Sequence, residues 1–169
     1  MVDVIEFRKN AQSKGICDKY LSQWDECVSK REMFDLACRI EPSYYLVKSI
    51  SEGWGVSPEY IKANFNPFIN GRYVAELKNE KGGEYTSQLW CCEKQGTAIM
   101  YNTTLYTILD CNIDIFIKDN SVCRVITDKT SVIRLHISKN CSVLVETYSD
   151  NVMVSEKDEG SRVMIKRLK

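Results

Sequence analysis

From Gly96 to its end the chain repeats one motif: a short apolar run, then a polar break. The runs are "TAIMY", "LYTIL", "IDIFI", "VCRVI", "VIRLHI", "SVLVE", "NVMV" and "RVMI", and they recur roughly every nine to eleven residues. Nearly every break carries Asp or Asn: Asp110, Asp119-Asn120, Asp128, Asn140 and Asp150-Asn151. These side chains imitate turn hydrogen bonds and tolerate left-handed backbone, so they end strands cleanly. The rhythm belongs to stacked or meandering strands and is too long for a six-residue left-handed β-helix. It predicts a short β-solenoid or roll, with an antiparallel β-sandwich as the alternative.

Alternation within the runs predicts which side chains face inward. Ile113, Ile115 and Ile117 alternate with Asp114 and Phe116, and Ile133, Leu135 and Ile137 with Arg134 and His136. Val143 and Val145 flank Leu144, Val152 and Val154 flank Met153, and Val163 and Ile165 flank Met164. The inner face is aliphatic and largely β-branched, as a strand core wants. The outer face collects Phe116, Leu144, Met153 and Met164, which a solvated sheet seldom gathers. These four are candidate protein contacts, used by a second copy of the chain in a homo-oligomer such as a trimer, or by a host or phage protein.

The front of the chain has helical texture. "DVIE" at 3–6 and "SKRE" at 29–32 fit capping boxes, Asp18 suits a cap, Pro42 a first helical position, and Ser57-Pro58-Glu59 a helix start. Tyr20, Leu21, Trp24, Cys27 and Val28 recur at helical spacing, as do Met33, Phe34, Ala37 and Cys38, and then Leu46, Val47 and Ile50. The reading is an α+β chain: a small helical bundle over 1–76, a boundary over 77–96 around Gly82-Gly83, and an all-β module over 97–169.

"GVSPEYI" resembles the turn and second helix of a helix-turn-helix, with Lys62, Asn64 and Asn66 as the side chains that would meet bases. This makes a DNA-binding regulator acting through 43–66 the alternative reading. Charge argues against it. Lys plus Arg equals Asp plus Glu at 23 each, and a nucleic-acid binder needs a cationic excess. Trp54, Phe65 and Phe68 instead form a second candidate protein-binding patch, since aromatic anchors dominate binding energy.

There is one histidine, His136, which removes multi-histidine metal sites, and no Cys-x-x-Cys among eight cysteines. No nucleotide-binding or hydrolase motif occurs, so neither a cofactor nor a metal is expected, and no catalytic residue is assigned. A thiolate at Cys91, Cys92, Cys123 or Cys141 with His136 as base, or carboxylates gathered by a solenoid, keeps a cysteine-dependent or carbohydrate-active enzyme as a further alternative. Cys111, Cys123 and Cys141 border strands, where they could stack and hold a soft metal or serve as buried thiols. With no long apolar run and no signal-peptide core, the expectation is a cytoplasmic or virion protein.

Two stretches, "EGWGVSPEYI…NPFINGRYV" and "GEYTSQLWC…NTTLYTILDCNIDIFI", resemble small accessory proteins encoded by bacteriophages and prophages of gut bacteria. The resemblance implies a helical front, a strand-rich back, and a non-enzymatic role by protein–protein interaction. That role would be in assembly, or in binding and inhibiting a host protein.

Overall fold

The computed structural model describes residues 2–65, 74–78, 85–92, 95–101, 105–118 and 120–169. Five helices come first: α1 (Val4–Ser13), α2 (Asp18–Glu26), α3 (Lys30–Ala37), α4 (Ile40–Ser51) and α5 (Pro58–Phe65). Asp3 accepts from the amides of Ile5 and Glu6, and Ser29 with Glu32 forms a complete capping box. Ser57 Oγ accepts from the Tyr60 amide ahead of Pro58. Three local expectations are corrected. Asp18 is the first helical residue and Cys17 stands at the cap without a side-chain bond. Pro42 is the third residue of α4, still inside the first turn where no amide is missed. Val28 is exposed, because α2 stops at Glu26 and the stripe ends with it.

The helices share a core of Phe7, Phe34, Cys38, Leu46, Val47, Val56, Ile61 and Phe65. The Gly53-Trp54-Gly55 turn is part of this packing. A Cβ on Gly55 would lie 2.0 Å from Ser49 Oγ, so only glycine lets the chain cross α4 there. Asn10 Nδ2 donates to the Trp54 carbonyl at 2.9 Å and locks the turn onto α1.

Ten strands follow: β1 (Val74–Lys78), β2 (Tyr85–Cys92), β3 (Gln95–Tyr101), β4 (Leu105–Leu109), β5 (Asn112–Lys118), β6 (Val122–Thr127), β7 (Val132–Ile137), β8 (Ser142–Thr147), β9 (Val152–Lys157) and β10 (Arg162–Arg167). They make two sheets, β1-β2-β4-β6-β8-β10 and β3-β5-β7-β9. Among the described residues every pairing apart from the antiparallel β1–β2 pair is parallel, so the architecture is a β-solenoid and not the antiparallel sandwich. Strands β1 and β2 occupy part of 77–96, the stretch read from sequence as a boundary.

From β5 onward a coil is twenty residues: Asn112 lies beside Val132, Val122 beside Ser142, and Ser142 beside Arg162. The β7–β9 ladder begins one residue short, with Ile133 beside Val152. A bulge between Leu135 and His136 then brings His136 opposite Glu156. The corners turn on left-handed residues, Asp110, Asn120, Asn140 and Gly160, at φ of 51°, 56°, 61° and 80°. Asn and Asp tolerate that region and glycine is at home in it, which is why the polar breaks carry them.

Between the sheets lies a continuous column of Ile108, Ile113, Ile115, Ile117, Cys123, Val125, Ile133, Leu135, Ile137, Val143 and Val145. Full burial of each such aliphatic side chain contributes about 1.5–3 kcal/mol. Buried corners are satisfied by side chains. Asp128 accepts from the Asp110 amide, the Ser131 amide and hydroxyl, and the Thr130 hydroxyl. Ser131 and Ser161 accept from the amides of Cys111 and Cys141, respectively, one coil earlier. The bundle rests on the outer face of the six-stranded sheet, where α4 packs on β4 and β6 and α5 on β2. Leu109 and Ile126 join its core there.

Candidate interaction surface

Parallel register lines outward side chains into ladders across the coils. On the six-stranded sheet Arg124, Leu144 and Met164 form one rung, and Ile126, Glu146 and Lys166 the next. Glu146 is only 2% exposed and is held by Arg124 at 2.6 Å and Lys166 at 3.2 Å. Arg124 also donates to the Tyr44 hydroxyl at 2.7 Å and lies 4.8 Å from that ring. This chain of contacts ties α4 to three successive coils.

The four-stranded sheet carries a second ladder. Arg134 is bidentate on Asp114 at 2.8–3.1 Å, and His136 Nε2 lies 2.9 Å from the same carboxylate. His136 Nδ1 is 3.2 Å from Glu156, an ionic contact without hydrogen-bond alignment. Phe116 stacks on the imidazole with centroids 4.3 Å apart. The Arg134 and His136 hydrogen bonds hold Asp114 down at about 2. Asp114, with Glu156 behind it, raises His136 above the ordinary imidazole value.

The last coil differs from those before it. Among the described residues, strands β9 and β10 each have a strand neighbour on one side only. Val154, paired with the fully buried Leu135, is 38% exposed, and Met153 and Met164 stand out further at 48% and 66%. Val163 and Ile165 are half-buried against the core instead of enclosed by it. The solenoid therefore presents an apolar end with two strand edges.

The four outward apolar residues are not one patch. Phe116 and Met153 belong to the four-stranded sheet, Leu144 and Met164 to the six-stranded one. The helices bury Leu109 and Ile126, and none of these four belongs to the helical core. Phe116 is half-buried under His136 and Leu144 half-buried beside Arg124, so the prominent pair is Met153 and Met164, both on the last coil.

The second patch is drawn inward. Phe65 is buried against Phe34, and Trp54 is half-buried on Phe7, its indole donating to Glu52. Asn64 is engaged with the Tyr60 carbonyl and with Lys30, neighbours within the bundle, and Lys62 follows Ile61 on the same short helix. Phe68 and Asn66 lie outside the described residues. Sequence reading missed a cleft where Tyr20, Tyr44, Tyr45 and Tyr148 meet Cys17, Glu41 and Lys48. Its residues come from α2, α4 and the far side of β8, so no local pattern announces it.

For Cys123 and Cys141 the thiol chemistry finds no support in the geometry; the side chains of Cys91 and Cys92 lie outside what the structure describes. Cys111, Cys123 and Cys141 are interior, and burial pushes the Cys123 thiol up to about 12, far from a usable thiolate. His136 projects from the opposite, outer face of its strand. Among the described residues no three His, Cys, Asp or Glu side chains converge on a metal position, and no helix is long and apolar enough to cross a membrane. No protein-family model matches the chain, and no curated protein or solved structure matches it.

Proposed function

We propose that this is a non-enzymatic accessory protein of phage type that works by binding protein, with the last solenoid coil as its contact surface. The observation that carries the reading is the exposure of Val154, whose counterpart Leu135 one coil earlier is fully buried, together with the outward Met153 and Met164 of the same coil. Exposed apolar groups gathered at an unpaired sheet edge favour protein contact over solvent. Of the described sheet faces, one is covered by the helices and the other carries a ladder of ion pairs.

The test is a photo-crosslinking amino acid placed at Met164 and, separately, at Ile5 on α1. Both positions are 66% exposed, so accessibility is matched. Discrete adducts from position 164 alone, in cells that make the protein, support the reading. Identical adducts from both positions, or none from 164, sink it. An adduct of twice the chain mass would name a second copy as the partner, and any other mass a different protein.

A further inference from the structure

The two edges of the last coil are not equivalent, and the difference points to one kind of partner. β9 is blunted. Its ladder shifts at Leu135/His136, and Lys157, opposite the buried Ile137, folds its ammonium onto the Ser161 carbonyl at 3.1 Å. A bulge and a charge in an inward position are devices that stop a strand from adding neighbours. β10 has neither. It pairs with β8 without interruption from Arg162 to Arg167.

The ladder also fixes which backbone groups of β10 are unused. Arg162 donates its amide to Cys141 and Leu168 to Thr147. Amide and carbonyl of one residue point the same way and alternate along a strand, so the even-numbered residues serve β8. Val163, Ile165 and Arg167 therefore aim theirs at the open edge. Beside those groups are two apolar side chains, Val163 and Ile165, that a further strand would enclose.

Charge selects the strand. From Ser161 to Lys169 there are four cations, Arg162, Lys166, Arg167 and Lys169, and no acid. Arg167 is neutralised by Asp150, but Glu146 is one charge shared between Arg124 and Lys166. Two copies laid β10 on β10 would oppose these cations, and β9 of a second copy brings the bulge and Lys157. The edge thus repels its own kind.

We infer that β10 is a strand-addition site for an extended acidic segment of another protein, a reading that rests on the last coil being the contact surface. Register specifies the pattern. Acids belong opposite Arg162 and Lys166, an apolar residue opposite Met164, and apolar residues over Val163 and Ile165. The motif is acid, three apolar residues, acid, and it reads the same in either strand direction.

The test uses the full chain and two labelled, end-blocked heptapeptides, Thr-Glu-Val-Leu-Val-Glu-Thr and its counterpart with both Glu replaced by Lys. Anisotropy titration should find the acidic peptide bound about tenfold or more tighter, with a preference that fades as salt rises. Ile165→Pro removes an amide that β8 does not use, so the variant should keep its far-UV spectrum and lose the peptide. Arg162→Glu, which breaks no ion pair seen here, should weaken binding several-fold and serves if the proline variant misfolds. Equal binding of both peptides, undiminished binding by folded Ile165→Pro, or a stable homodimer broken by that substitution would overturn the proposal. If those results came while position 164 still crosslinked to a partner, only the edge inference would fall.

Discussion

Leu135 and Val154 are neighbours in one interior column of the solenoid, and they lead different lives. Leu135 is sealed between β5 and β9, while Val154, with a strand beside it on one side only, is more than a third exposed. The same contrast runs across the coil, from Val143 and Val145 to Val163 and Ile165. The inward apolar residues continue into the last coil as far as Val154 and Ile165, after which Lys157 and Arg167 stand opposite Ile137 and Thr147. Burial in a solenoid is supplied by the coils above and below as well as by the strand's own pattern, so inward residues such as Val154 on the last described coil become a surface.

The sharpest way to break this comparison is to truncate both residues. Leu135→Ala should cost about 2–5 kcal/mol in urea unfolding, through lost burial and a closed cavity. Val154→Ala should cost less than about 1 kcal/mol, since much of its side chain already meets water. Equal losses would mean the last coil is as enclosed as the one before it.

Two glutamates extend the contrast to charge. Removing Glu146 as Glu146→Ala leaves Arg124 part-buried without its carboxylate and should cost on the order of 2 kcal/mol. Glu156→Ala, on the exposed strand β9, should change stability by less than about 0.5 kcal/mol. Amide exchange then resolves the edge itself. Within β10 the amides of Met164 and Lys166 should exchange more slowly than those of Val163, Ile165 and Arg167, while β8 is protected throughout. Uniform exchange along β10 would contradict the assignment of its free edge.

The smallest effect is on pH. His136 is held above its unfolded value, so its stabilising contribution is complete below the ordinary imidazole pKa and fades as pH rises through the raised one. Asp114, held at about 2, contributes above the usual carboxylate range and loses this as the medium is acidified toward 2. With one histidine in the chain, a single imidazole resonance reports the titration. Asp114→Asn should move that midpoint downward, and an unmoved midpoint would discount the ladder.

Much of the fold was legible in the sequence. Asp110, Asn120 and Asn140 mark left-handed corners because few other residues tolerate that backbone, whereas Asp128 at another break serves as a hydrogen-bond acceptor; strict alternation through Ile113–Ile117 and Ile133–Ile137 marks a buried column. Two local signals misled: Val28 continued an apolar stripe past the end of its helix, and Asp18 stood one residue too late to cap. The site was only half legible. Periodicity identified Met153 and Met164 as outward, but it treats every coil alike and could not distinguish them from Phe116 and Leu144. That distinction depends on which coil is last and where the helices lie. The tyrosine cleft was invisible for a related reason, since Tyr20, Tyr44 and Tyr148 are brought together only by tertiary contact.

The constant twenty-residue spacing between Val122, Ser142 and Arg162 has a consequence for how such a chain can change length. On the six-stranded sheet, duplicating or deleting one such unit returns the inward side chains to equivalent places, so copying errors of that size are survivable where a shift of one residue is not. Each added unit moves the free edge of the last strand about 4.8 Å further from the helices, the spacing of neighbouring strands. The gene can therefore adjust the reach between its helical base and its outermost edge in fixed increments, without redesigning either.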